Sequence, residues 1–185
     1  AYVYGFLCHF ALDTLSHDYV AEKEAASGLS HARIESELER ALMLRDGLDP
    51  ASHRPTGHLM PSEENAAVIA DFFPEVTQEQ VLDSLRGMVF YLNLLVAPSA
   101  LKRWVIFTAL RLAGQFEKLG GLVVGPDPEP QCEDSNAELL RRFDQAAELA
   151  ARLIGDFDRV VESGQAEDPI YGRTFDPRPE QEAAN

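Results

Sequence analysis

The sequence predicts an all-α fold, a multihelical single domain, and three observations lead there. Apolar residues recur at helical spacing, most clearly Leu139, Phe143, Ala146, Leu149, Leu153 and Phe157. Helix start and stop signals punctuate the chain, with Ser or Thr before apolar runs and Gly or Pro after them. The only β-like run, Leu122 to Val124, is too short to build a sheet.

Taken in order, Tyr2 to Tyr19 reads as the first helix, and the Gly28-Leu29-Ser30 turn leads into a second from His31 to about Arg45, with Ser30 as its expected N-cap. Asp46 to Pro61 is a loop, marked by DGLDP and three prolines, and it carries His53 and His58. Ser62 opens a short helix to Phe73, stopped by Pro74. Thr77 and Gln80 form a capping box for a helix to about Val96. After Pro98, another is expected over Ser99 to Leu119, closed by Gly120 and Gly121. Gly125 to Glu133 is a polar loop, without the Gly-Lys-Ser/Thr ending of a phosphate-binding loop. Ser135 begins a long amphipathic helix to about Ser163. Trp104, Phe90, Tyr91 and Phe107 fall on helices of high apolar content and are expected in the core.

Composition bounds the rest. A chain of 185 residues with 45% hydrophobic content supports one substantial core, here assigned to residues 1–163, with 164–185 expected as a partly disordered tail. The formal charge of −15 argues against a nucleic-acid binder that works through a basic surface, because phosphate contacts need Lys and Arg. Two cysteines, Cys8 and Cys132, do not make a disulfide framework, and Cys8 is expected as a small buried hydrophobe. So few cysteines fit a cytoplasmic protein, and an acidic secreted protein has the same composition. No signal peptide is visible. The most apolar stretch, Met88 to Ala97, is interrupted by Asn93 and ends at Pro98, so no transmembrane helix is expected.

Function is suggested by histidine and acid spacing. His9-x3-Asp13-x3-His17 is followed by His31-x3-Glu35, and all five histidines lie between residues 9 and 58. Residues four apart on a helix stand about 40° apart around the axis and roughly 6 Å along it, so each such pair shares a face. His9 and His17 are separated by about 12 Å of rise, too far to share one ion comfortably. Two metals with Asp13 between them is the simpler arrangement. His17, His31 and Glu35 would then give three protein ligands and an open position, the pattern of a catalytic zinc. Imidazole and carboxylate suit zinc, and iron, manganese or nickel fit a mixed donor set nearly as well. His53 and His58 are read as exposed loop histidines.

The residues AYVYGFLCHFALDTLSHDYV and HARIESELE, within Ala1 to Glu39, resemble the zinc-dependent phospholipase C family, whose helical fold is shared with zinc-dependent single-strand nucleases. That family carries an H-x3-D-x5-H pattern followed by H-x3-E, which supplies ligands to a three-zinc cluster. The middle spacing here, Asp13-x3-His17, is two residues shorter and keeps the ligand order. The resemblance implies His9 and Asp13 at one zinc, Asp13 bridging to another, and His17, His31 and Glu35 at the remaining one. Family members place further ligands and their general base upstream of this motif. The chain starts at Ala1 already within the helical pattern, so it is expected to lack that upstream part, and no residue is assigned as general base.

The implied function is zinc-dependent hydrolysis of a phosphodiester, with a small phosphodiester or phospholipid head group as substrate and one to three zinc ions as cofactor. Two alternatives stand beside it: a non-enzymatic or inactive helical domain that holds a metal, and a single-strand nuclease or other phosphoesterase.

Overall fold

A computed structural model describes residues 1–165 and 168–173, and it is all-helical and multihelical, with no strand among the described residues. Seven α-helices follow one another: α1 (Tyr2–Ser27), α2 (His31–Arg45), α3 (Glu63–Ala70), α4 (Gln78–Leu95), α5 (Ala100–Leu112), α6 (Phe116–Leu119) and α7 (Glu133–Ser163). The chain divides into two compact units. One is built from Val3–Leu38 with the chain from Glu129 onward, the other from Glu39–Pro128.

In the first unit the apolar stripe of α7 closes on α1. Leu7, Phe10 and Ala11 are buried with Ala150 and Leu153, and Leu149, Ile154 and Phe157 pack around them. A second cluster joins α1, α2 and α7 through Val20, Ile34, Cys132 and Leu139. The spacing from Leu139 to Phe157 therefore marks a buried face, as expected. Polar contacts fix the register of the same helices. Lys23 Nζ donates to Asp134 Oδ1 at 2.6 Å, and an Arg142 guanidinium nitrogen donates to the Leu15 carbonyl at 2.5 Å. Arg141 and Arg142 both donate to Glu138, which holds that carboxyl down at about 2.

One carboxylate in an ion pair of this unit is deeply buried. Glu37 is 1% exposed, lies 3.2 Å from the Arg33 guanidinium, and accepts the Glu129 backbone N–H at 3.1 Å. A carboxylate that deep in the fold requires such partners, because an unpaired charge in low dielectric is costly. It pins the segment that leads into α7 to α2.

The second unit is organised by caps. Ser62 accepts from the Asn65 N–H at 3.2 Å, with Glu63 and Glu64 completing an acidic first turn that suits the helix dipole. The expected capping box forms at Thr77 and Gln80, with bonds of 3.2 and 2.8 Å in the two directions. Ser99 caps α5 through the Lys102 N–H. Ala66, Val81 and Leu82 make the buried contact between α3 and α4, and Thr56 donates to the Asn93 side-chain oxygen at 3.0 Å.

Several elements differ from expectation. α1 runs on to Ser27, because Ala21-Glu22-Lys23-Glu24-Ala25-Ala26 is made of strong helix formers. The helix expected over Ser99 to Leu119 breaks at Gly114, whose φ of 65° is left-handed, leaving α5 and the single turn of α6. Cys8 is exposed and Cys132 is buried, the reverse of the expectation for Cys8, because Cys8 borders an open groove beside Ala150 and Ile154 that no side chain fills. Phe90, Tyr91 and Trp104 are exposed instead of buried, since the buried residues of α4 lie at its start, at Val81 and Leu82, and α5 has none. Phe107 is half-buried, edge-on to Phe116 at 5.5 Å. Of the expected tail, Pro169–Gly172 forms a short 3₁₀ turn whose Ile170 and Tyr171 pack on the Leu153 cluster, and residues 166, 167 and 174–185 lie outside the described residues.

Two measurements check this packing. Leu153→Ala removes a fully buried side chain from the first unit and should lower unfolding stability by about 2–5 kcal/mol in a urea titration. Ellman's reagent should titrate the Cys8 thiol quickly in the native protein. Cys132, whose thiol is pushed up by burial, should react only after denaturation.

Candidate metal centre

The site is assembled by two helices and the turn that joins them. Gly28 ends α1 with φ 72° and ψ 5°, and its N–H closes onto the Glu24 carbonyl at 2.9 Å. A left-handed residue at this place reverses the chain, and glycine adopts it without the Cβ clash of other residues. After only Leu29 and Ser30, α2 begins at His31, so its first turn lies beside α1. The His17 and His31 rings meet edge to face, with centroids 5.5 Å apart.

Each expected ligand has a definite neighbour. His9 Nε2 lies 3.1 Å from Asp13 Oδ2, and His17 Nε2 lies 3.7 Å from the same oxygen. Asp13 therefore stands between the two imidazoles. The long rise between them is spanned because both rings lean toward the carboxylate. On α2, His31 Nε2 is 3.0 Å from Glu35 Oε1. The structure brings His17, His31 and Glu35 together, with one donor atom from each lying within 4.8 Å of the others. His9 does not join that group. Its side chain is 64% exposed and borders an apolar groove of about 490 Å³, which is lined by Cys8, Leu12, Phe143, Ala147 and Ile154.

Two imidazoles and a carboxylate are a suitable donor set for zinc, whose tetrahedral ligands stand roughly 3.3–3.6 Å apart when each is about 2.0–2.2 Å from the ion. Drawing atoms already within 4.8 Å to that separation takes small side-chain rotations on two fixed helices. His17 and His31 are half-buried and Glu35 is exposed, so the group opens to solvent on the Glu35 side.

Glu24 is a neighbour that sequence spacing missed. Its Oε1 accepts the His31 backbone N–H at 3.1 Å, at the start of α2, and its Oε2 lies 3.9 Å from His31 Nδ1. The carboxylate thus faces one edge of the imidazole while Nε2, on the other edge, faces Glu35. Such a partner orients a ligating histidine and raises its basicity. The seven-residue separation crosses the turn and falls outside any helical period. The available signal was an acid placed just before a helix N-terminus, where backbone N–H groups lack partners.

The other two histidines lie in the second unit. His53, half-buried, is close enough to Glu39 to oppose the upward push that burial gives that carboxyl, and His58 is exposed at the end of the 3₁₀ turn Pro55–His58.

Neither a family model, nor a curated protein, nor a solved structure matches the chain.

Proposed function

We propose that the chain is a zinc-dependent phosphodiester hydrolase of the phospholipase C type, holding a zinc ion through His17, His31 and Glu35. The observation that carries this reading is the approach of those three side chains, on two helices fixed by the Gly28 turn, to within 4.8 Å of one another. Three protein ligands leave one coordination position for water or substrate, as catalytic zinc sites do. The exposure of Glu35 leaves that position reachable from solvent. Asp13, whose Oδ2 lies 3.1 Å from His9 Nε2 and 3.7 Å from His17 Nε2, would link this ion to a second at His9 if the phospholipase pattern is followed.

The reaction is supported by the ligand order. His9, Asp13, His17, His31 and Glu35 follow one another within residues 1–39 as they do in the zinc-dependent phospholipases C. A zinc ion bound there would supply a water acidified to about pKa 7 and a positive charge for the phosphodiester oxygens. Glu24, 3.9 Å from Nδ1 of His31, would favour the ring orientation that turns Nε2 toward Glu35 and the ion. The substrate is a phosphodiester small molecule or a phospholipid head group. The net charge of −15 disfavours the nuclease alternative.

A second reading, a helical domain that holds one metal without turnover, is favoured by one observation. Among the described residues, His17, His31 and Glu35 are the one group of three ligand types so placed, where the phospholipases use three ions.

Elemental analysis of protein purified without chelator should find about one zinc per chain, lost in the His17→Ala, His31→Ala double variant. Glu24→Gln should weaken zinc binding about 10–100-fold while leaving the helix content unchanged. Equal metal in wild type and double variant would sink the ligand assignment. Given bound zinc, hydrolysis of bis(p-nitrophenyl) phosphate or p-nitrophenylphosphorylcholine should be sensitive to chelator and absent in His17→Ala. Zinc held without turnover of either probe decides for the non-enzymatic domain.

A further inference from the structure

The second unit carries a surface that the metal centre does not explain. From Ser84 to Phe116 the sequence contains no Asp or Glu, although the chain has 31 of them, and it contains Arg86, Lys102, Arg103 and Arg111. The same stretch is α5 and most of α4. On α5, Leu101, Trp104, Val105 and Leu112 fall at i, i+3, i+4 and i+11, one face of a helix, and all are exposed, Trp104 by 64% and Leu112 by 86%. On α4, Met88, Phe90, Tyr91 and Leu94 are exposed as well. Only Thr108 interrupts this face, and its hydroxyl is turned back onto the Trp104 carbonyl at 2.8 Å. Single exposed apolar residues are ordinary, but a helix face this apolar in water marks a surface that something covers.

The basic residues sit around this apolar material. By helical position Lys102 and Arg111 border the exposed face of α5 on its two sides. Lys102 Nζ donates to the Val96 carbonyl at 2.5 Å and Arg103 to the Ala97 carbonyl at 2.9 Å, which fixes two positive charges at the bend between α4 and α5. A groove of about 500 Å³ is lined there by Pro61, Val89, Phe90 and Leu94 together with Arg86 and Lys102. Apolar walls with cations among them suit an acyl chain under an anionic head group.

We propose that the α4–α5 elbow docks on an anionic phospholipid bilayer, with Leu101, Trp104 and Leu112 entering the boundary between head groups and acyl chains. No single helix among the described residues is long and apolar enough to cross a membrane; α4 and α5 are so only as a pair bent by 120°, and Lys102 and Arg103 at that bend favour the bilayer surface over its interior. The remaining negative charge of the chain does not prevent this approach. Repulsion is screened over about 8 Å at physiological salt, whereas the basic residues of the elbow come into contact. A second copy of the chain is the poorer occupant, because a two-fold contact through this face would set its cations against each other. The proposal is independent of the metal reading.

Trp104 is the only tryptophan, so its emission reports on this one surface. With chelator present to prevent hydrolysis, the full chain should sediment with vesicles of phosphatidylcholine and phosphatidylglycerol. Its emission should shift to the blue and be quenched by lipids brominated on the acyl chain. Affinity for pure phosphatidylcholine vesicles should be lower, and added salt should weaken binding to the mixed ones. The Leu101→Gln, Leu112→Gln variant, altered only at exposed positions, should keep its circular dichroism and lose about tenfold or more in vesicle affinity. Absence of both sedimentation and blue shift overturns the proposal, as does equal binding to neutral and anionic vesicles. Lipid-free self-association that shifts Trp104 emission assigns the face to a second copy instead, and wild-type affinity in the variant places the contact elsewhere.

Discussion

The left-handed turn at Gly28 is the constraint on which the candidate site depends. Its φ of 72° turns the chain back after the long α1 and lets α2 begin after only Leu29 and Ser30. That short reversal sets the His31 ring against His17 and the Glu24 carboxylate against the start of α2. The hairpin is then held by burial. Val20 of α1 and Ile34 of α2 share a core cluster with Leu139 of α7, and the buried Glu37 ties α2 to the segment that leads into α7. Candidate ligands on packed helices keep their spacing through contacts that they do not themselves supply.

Charge is distributed unevenly over the molecule. The acidic residues are spread over the surfaces of both units except in one stretch, where apolar and basic residues take their place. In the first unit, carboxylates gather next to imidazoles: Asp13 with His9 and His17, Glu24 and Glu35 with His31. In the second, cations gather next to aliphatic and aromatic side chains. The first arrangement suits a divalent cation, the second an anionic surface.

Much of this was legible in the sequence, for local reasons. Caps are local chemistry, so Ser62, Thr77 with Gln80, and Ser99 mark helix starts that the structure reproduces. The spacing of Leu139 to Phe157 was a reliable guide to the buried face of α7, because a helix that long has one side to hide. The proximity of His17 to His31 and Glu35 was expected from two helical pairs joined by a short turn. Glu24 was not, since its contact with His31 crosses that turn and follows no period. The break at Gly114 was missed because a glycine within an apolar run is equally consistent with a tolerated helical residue. Phe90, Tyr91 and Trp104 went astray for a different reason: apolar content says that a residue is suited to burial, and only tertiary packing says whether anything buries it.

The order of elements also governs how the chain comes together. The second unit is contiguous, whereas the first is split, with roughly 90 residues between Leu38 and Glu129. On a ribosome adding about 5–20 residues per second, α7 emerges several seconds after α1 and α2. During that interval Leu7, Phe10 and Leu153 cannot yet meet, and the apolar face of α1 waits uncovered. The α1–α2 hairpin already contains His17, His31 and Glu35, but Leu139 and Glu129, which hold its two helices in place, come later, so the spacing of the three side chains is set only when α7 arrives.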